Sequence, residues 1–160
     1  MLPIETTEKP LPKIDLPTYT VKIPSSGKEL KVRPFTVKEE RLLLMAAESN
    51  SPDDVVTTVK QVINNCIIKG DINLDKTPFF DVDFLFIFLR AKSVGEIVEA
   101  RYRCNNVVEG KECGNIMENN LDITKIQVNV PENISPEIKL TDRIVIKLKY
   151  PEFSLVEKLK

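Results

Sequence analysis

The chain has 160 residues, of which 42% are hydrophobic, and its formal net charge is −1. This size and apolar content predict one domain, or two small lobes that share a core, and argue against a disordered polymer. The balanced charge supplies no basic face for nucleic acid. The longest apolar run, residues 84–89, is far shorter than a bilayer span. We therefore expect neither a nucleic-acid partner nor a membrane partner.

Residues 1–18 are rich in proline, with Pro3, Pro10, Pro12 and Pro17 standing among charged residues and threonines. Because proline fixes φ and lacks a backbone donor, this stretch is predicted to be an extended arm without a core of its own. Such an arm either frays in solvent or orders against a neighbouring subunit.

An alternating pattern begins where the arm ends. Tyr19, Val21 and Ile23 point to one side of an extended chain, and residues 25–28 supply turn-forming side chains. The alternation then resumes at residues 30–32. This pattern predicts a β-hairpin.

Two helices are predicted after the hairpin. Thr36 and Glu39 have the spacing of a capping box, which opens the first helix. Ser51 followed by Pro52 is typical of a helix start, and it opens the second helix. Gly70 is the predicted stop of that second helix.

The third predicted helix is the most hydrophobic element. Five of the seven phenylalanines lie between residues 79 and 88. A helix that is apolar on nearly all sides is buried all round, within its own chain or against a partner. The alternation in this stretch also fits a strand, although we favour the helix. Four side chains are predicted to be anchors of either an interface or the core: Phe79, Phe80, Phe86 and Phe88.

From residue 96 onward the period of the pattern is two, which predicts strands. The first strand leads into a loop at residues 105–112, and a return strand runs from Ile116 through Ile126 and Val128 to Val130. Residues 144–150 alternate most cleanly and predict a final strand. A short amphipathic run at residues 151–160 is typical of a helix beginning, which either frays in solvent or continues in a longer chain.

The predicted fold class is α+β. It comprises an N-terminal β-hairpin, three helices including one very apolar helix, and a C-terminal lobe of antiparallel hairpins or a meander. We divide the chain into the arm at residues 1–18, a hairpin and helical lobe at 19–95, a β lobe at 96–150, and the helix start at 151–160.

Catalytic chemistry finds little support in the sequence. The chain has no histidine, so His-dependent triads, dyads and zinc sites are excluded. The five glycines are scattered and form no phosphate-cradling loop. Adjacent acidic residues are explained by helix starts, where carboxylates favour the positive end of the dipole. We therefore expect a protein that is not an enzyme and has no small-molecule substrate.

Cys104 and Cys113 flank the polar loop of the β lobe, so their side chains could converge. Eight residues separate them, whereas a zinc knuckle has two to four, and a closed site needs four ligands. Cys66 falls on the apolar stripe of the second helix, where a buried thiol is expected. The pair at the loop can thus be two reduced thiols, a partial metal site that binds zinc, or a disulfide.

Three segments carry a resemblance to a known family: Leu30–Glu40, Phe84–Glu96 and Tyr102–Cys104. In these segments the chain resembles the baseplate hub subunit and hub assembly protein family of T-even-type contractile-tailed bacteriophages. The similarity extends over roughly residues 16–150. Members of that family usually run longer than this chain, which implies that the chain is a truncated form.

This resemblance implies a late, non-enzymatic part of the central hub of the phage tail baseplate, located in the virion after assembly in the host cytoplasm. Its partners would be other hub proteins, and the arm and the exposed hairpin edges would also suit self-association. The resemblance carries over no catalytic residues. Two alternatives stay open: a transient assembly chaperone that is not retained in the particle, and a zinc-stabilised adaptor.

Overall fold

A computed structural model describes residues 15–108, 110–129 and 135–158. In chain order its helices and strands are β1 (Tyr19–Lys22), β2 (Glu29–Val32), α1 (Val37–Glu48), α2 (Pro52–Cys66), β3 (Ile67–Lys69), α3 (Phe79–Ser93), β4 (Ile97–Arg103), β5 (Val107–Val108), β6 (Lys111–Glu112), β7 (Ile116–Asp122), β8 (Glu137–Thr141) and β9 (Ile144–Lys147). Short 3₁₀ helices lie at Leu74–Lys76, Ile123–Lys125 and Phe153–Lys158. The predicted α+β class is confirmed.

The predicted N-terminal hairpin is also confirmed. β1 and β2 pair antiparallel, with Val21 opposite Leu30. A strand that the sequence did not predict, β3, adds to the other edge of β2 with Ile67 opposite Val32. The alternation places one apolar row of this three-stranded sheet in the core, where Val32 is fully buried.

The helix starts follow the capping signals. The backbone N–H of Thr36 donates to Glu39 Oε2 over 2.7 Å, and the Ser51 hydroxyl accepts from the backbone N–H of Asp54. The predicted helix stop at Gly70 is wrong. α2 ends at Cys66, whose carbonyl accepts from the Arg33 N–H at the end of β2, and the chain continues as a strand.

Gly70 instead lies just beyond β3, with φ of +111°. A Cβ atom at this position would lie 2.6 Å from Leu30 Cδ2, and Leu30 is buried. The glycine is therefore required by the close approach of the chain to β2 and by its positive φ, and not by the end of a helix.

The core lies between the three-stranded sheet and the helices α2 and α3. Its buried members come from both layers and from two 3₁₀ segments: Val21, Ile23, Leu30, Val32, Val62, Ile63, Cys66, Leu74, Val82, Leu85, Leu89 and Phe153. Burial of these apolar side chains is the main source of stability of the fold.

The C-terminal lobe consists of two-stranded antiparallel units, β4–β7, β5–β6 and β8–β9. The predicted continuation of the return strand is wrong at Ile126 and Val128, and Val130 lies outside the described residues. β7 ends at Asp122, because the Asp122 side chain accepts from the backbone N–H of Thr124 and starts a 3₁₀ turn.

Residues 151–158 return to the helical part of the chain. The Phe79 N–H donates to the Pro151 carbonyl over 3.0 Å, and the Phe153 N–H donates to the Thr77 carbonyl over 2.9 Å. The predicted helix start at 151–160 is a 3₁₀ helix in the part that the structure describes. Arm residues 1–14 lie outside the described residues, and the division into lobes stays a prediction. No helix in the described ranges has the length and apolarity needed to cross a bilayer.

Candidate assembly interface

The apolar helix α3 has one side buried in the core and other sides that a partner could contact. The sequence favoured a helix over a strand here, and the structure confirms the helix. Its inner side, with Leu85 and Leu89, is fully buried against the sheet and α2. Because apolar residues continue around the helix, the remaining sides must be covered by other parts of the chain or by a partner.

The four predicted aromatic anchors lie on these remaining sides of α3. Phe86 and Phe88 are half-buried and pack against the core, and Phe88 meets Tyr19 edge-to-face with ring centroids 6.5 Å apart. Phe79 stacks on Phe153 at 5.7 Å, and Phe80 meets the Tyr150 ring edge-to-face at 5.1 Å. All four therefore contact aromatic or core groups of their own chain, and a role in an interface stays a prediction.

A groove of about 520 Å³ runs along α3. One wall is the helix face that carries Ile87 and Ala91, and the other is the stretch from Ile123 to Val128 that follows β7. The groove is lined mostly by apolar side chains, with Lys22 and Lys92 as its two charged lining residues.

A second apolar surface lies on the hairpin β8–β9. Every residue from 137 to 150 is exposed, including seven large hydrophobic residues. Antiparallel pairing places Ile138 directly opposite Ile146 on one face of the hairpin. The opposite face carries the ion pair between Lys147 and Glu137. This hairpin is therefore amphipathic, with its apolar face towards solvent.

The ribbon β4–β7 also carries apolar side chains on one face and charged side chains on the other. Tyr102 lies opposite Met117, and both are about half exposed. The other face of the ribbon carries an ion pair between Arg101 and Glu118, with Nε and Oε1 3.0 Å apart. Two separate hairpins thus present apolar faces that no part of the described chain covers well.

A comparison with known protein families indicates what kind of protein carries these surfaces. Residues 16–160 match the family described as T4 bacteriophage base plate protein. The chain belongs to this family. No curated protein and no solved structure matches the chain at a significant level.

As a base plate protein, the chain has a structural role in a phage tail baseplate and interacts with other baseplate proteins. This confirms the phage baseplate lineage that the resemblance implied. The location that follows is the tail baseplate of the virion. Uncovered apolar surfaces are consistent with this role, because a structural part of an assembly buries such surfaces against its neighbours.

The cysteine loop of this base plate protein is held by backbone bonds between its two sides. The Cys104 N–H donates to the Asn115 carbonyl, and the Cys113 N–H donates to the Asn106 carbonyl, each over 2.8 Å. The two thiols are free, so the structure does not contain the disulfide that the sequence left open. No group of three or more Cys, Asp or Glu side chains in the described ranges could hold a metal. Zinc binding stays a prediction.

An ion pair between Arg33 and Glu39 joins the end of β2 to α1. Arg33 Nη2 lies 2.7 Å from Glu39 Oε1, and the hydroxyl of Thr36 donates to Glu39 Oε2 over 2.9 Å. The Arg33 hydrogen bond is the largest cause of a fall in the pKa of Glu39 to about 2, against an opposing effect of burial. This pair holds the helix start on the sheet and belongs to the fold more than to the interface.

Sequence reasoning missed two parts of the candidate interface. β8 was not predicted, although Ile138 and Leu140 alternate with Glu137 and Lys139. The groove wall after β7 was assigned to a strand because Ile126 and Val128 continue the alternation. The Asp122 cap was the signal that would have corrected the second error.

Proposed function

We propose that the protein is a non-enzymatic structural component of the central hub of the tail baseplate and is retained in the finished particle. The observation that carries this proposal is the match of residues 16–160 to a base plate family. The hub is favoured within the baseplate because the segments Leu30–Glu40 and Phe84–Glu96 resemble hub subunits.

The surfaces of the molecule support a role that depends on protein–protein contacts. The hairpin faces and the groove beside α3 are largely apolar, and Lys22 and Lys92 are the two charged residues that line the groove. Monomeric proteins rarely expose large contiguous apolar patches, because such patches promote association. Other baseplate hub proteins are the proposed partners.

A transient assembly chaperone would use the same surfaces, and it differs from a hub component in leaving before the particle is complete. The test is therefore the presence of the chain in finished particles. An affinity-tagged copy is expressed in an infected host, with the tag placed at each terminus in parallel. Co-purifying proteins from lysate and from purified particles are then identified by mass spectrometry.

We expect the tagged chain in purified particles together with hub proteins. A tagged host cytoplasmic protein, expressed in the same infection, measures carry-over into the particle fraction. Recovery only from lysate complexes would contradict retention and support the chaperone. Absence of tail proteins from both fractions would overturn the assembly role.

A matched pair of variants tests whether the groove takes part in binding to hub proteins. Ile87 lines the groove on α3, and Leu44 is an exposed residue of α1 away from the groove. Ile87→Glu should reduce recovery with hub proteins, whereas Leu44→Glu should leave it unchanged. Unfolding midpoints of both variants show whether Ile87→Glu acts on binding or on the fold.

A further inference from the structure

The apolar face of β8–β9 carries a row of aliphatic side chains. Ile138 lies opposite Ile146 on this face, and alternation along the second strand places Ile144 and Leu148 on the same side. Leu140 stands at the register shift between Lys139 and Thr141. Each of these aliphatic side chains is between 40 and 57% exposed. An isolated two-stranded hairpin is marginally stable in water, so this face gains stability when another surface covers it.

The ribbon β4–β7 presents a second face that is mostly apolar. Its apolar members lie on one side of the strand pair: Val98, Ala100, Tyr102, Met117 and Leu121. Asn119, opposite Ala100, is the polar residue of this face. The side chains of Tyr102, Met117 and Leu121 are each at least 40% exposed. Two sheets pack face to face through apolar side chains on their inner faces, and both of these faces are predominantly apolar.

The two segments that form these hairpins carry net charges of opposite sign. Residues 97–122 contain five acidic and three basic side chains, so their formal net charge is −2. Residues 137–149 contain two acidic and four basic side chains, so their formal net charge is +2. Pairing one hairpin with the other is therefore electrostatically favourable, whereas pairing two copies of the same hairpin brings like charges together.

The two hairpins are attached at opposite ends of α3. β4 begins at Ile97, shortly after α3 ends at Ser93, and the 3₁₀ turn after β7 contacts α3. At the other end, Tyr150 packs on Phe80 in the first turn of α3. A helix of 15 residues is about 22 Å long. The bases of the two hairpins are thus held apart within one chain.

We propose that the apolar face of β8–β9 in one copy of this chain packs on the apolar face of β4–β7 in a second copy. Two copies that exchange these contacts make the interface twice, and repeated head-to-tail contacts make a ring where the rotation closes. The inference rests on the proposed assembly role, for which it names a partner. It is tested with purified protein, so its failure is distinguishable from failure of the particle experiment.

The test is sedimentation velocity of the purified 160-residue protein over a range of concentrations. The native chain should self-associate. Ile146→Glu introduces a charge into the β8–β9 face, and Met117→Glu does so in the β4–β7 face. Each should weaken self-association by about tenfold or more, because a charge would be buried at the contact.

Each variant has a matched control on the opposite face of the same hairpin. Val145 is adjacent to Ile146 and exposed on the polar side, and Asn120 lies on the polar side of β7. Val145→Glu and Asn120→Glu add the same charge to the same strands, and they should leave self-association unchanged. Circular dichroism confirms that all four variants remain folded.

Mixing the Ile146→Glu and Met117→Glu variants tests whether β8–β9 of one copy packs on β4–β7 of another. Ile146→Glu retains an intact β4–β7 face, and Met117→Glu retains an intact β8–β9 face. The mixture should therefore form a heterodimer through one intact contact, although each variant alone associates about tenfold or more weakly than the native chain. A native chain that stays monomeric overturns the proposal, and so does a Met117→Glu variant that associates as the native chain does.

Discussion

The carboxylate of Asp81, in the first turn of α3, accepts hydrogen bonds from both the backbone N–H and the hydroxyl of Ser25 in the turn between β1 and β2. The N–H bond is 3.0 Å long, and Asp81 is fully buried. One side chain thus joins the helix start to the hairpin turn, 56 positions earlier in the chain. This contact fixes how α3 lies across the sheet.

Asp81→Asn should destabilise the protein. The amide oxygen can accept from the Ser25 N–H and the amide NH2 can donate to the Ser25 hydroxyl, so two charge-assisted hydrogen bonds become neutral ones, at a cost of about 1–3 kcal/mol. Urea unfolding midpoints measure the loss. Ser25→Ala removes the hydroxyl bond alone and should cost less, and the double variant should cost less than the sum of the two. Strict additivity would show that the two residues are not coupled.

Glu39→Gln should destabilise the protein at neutral pH and do so less in acid. The pKa of Glu39 is lowered from 4.5 to about 2, chiefly by the hydrogen bond from Arg33. Because the folded pKa lies below the unfolded one, the carboxylate stabilises the fold above pH 4.5, and this contribution is lost as pH falls towards 2. The stabilisation of the fold by the Glu39 carboxylate amounts to about 3 kcal/mol at most.

The measurement for Glu39 is the difference in unfolding free energy between native protein and variant at a series of pH values. Glu40→Gln, in the same turn of α1, is the matched control. A Glu39→Gln difference that stays constant between pH 5 and pH 2 would contradict the role assigned to the Arg33 pair.

The three cysteines should differ in reactivity. Burial raises the pKa of the Cys66 thiol to about 11, and the nearby Glu39 carboxylate adds to the rise. Cys113 is exposed and Cys104 is half-buried. A disulfide reagent at neutral pH should therefore modify two thiols quickly and the third only after unfolding. Cys66→Ala should abolish the slow phase and leave the fast one.

Adding zinc to the same reaction tests the metal prediction for the cysteine loop. Protection of Cys104 and Cys113 from the reagent is the result expected of a zinc site. Unchanged rates would remove zinc from consideration at this loop. Cys104→Ser provides the control, since a site that needs both thiols loses the protection of Cys113.

Phe153→Ala should cost about 3–5 kcal/mol of stability, because the ring is buried in the core and stacks on Phe79. Leu155→Ala in the same 3₁₀ helix is the control. Leu155 is 43% exposed, and its loss should cost less than about 1 kcal/mol. Equal midpoints for the two variants would show that residues 151–158 do not contribute to the core.

Several elements could be predicted because the signals for them lie within a few residues. The Thr36–Glu39 box and the Ser51–Pro52 start are local hydrogen-bonding patterns, and the structure contains both. The hairpin at residues 19–32 is encoded by its alternation and turn. Membership in a phage baseplate family was also suggested by short segments of the sequence.

Elements that depend on distant partners could not be predicted. β3 is three residues long, and it is a strand because β2 offers an open edge beside it. Phe153 is buried because residues 151–153 pair with the chain around Pro78. Neither segment has a local pattern strong enough to show its partner.

The sequence by itself determined the α+β class, the helix caps, the hairpin periodicity and the exclusion of histidine chemistry. Each of these follows from side-chain type and spacing over one or two turns of backbone. Only the tertiary structure decided which faces are covered. Burial of an apolar residue depends on contacts between segments far apart in the chain, as with Asp81 and Ser25 or Phe79 and Phe153. The tertiary structure therefore also decided that the faces of β4–β7 and β8–β9 are left exposed.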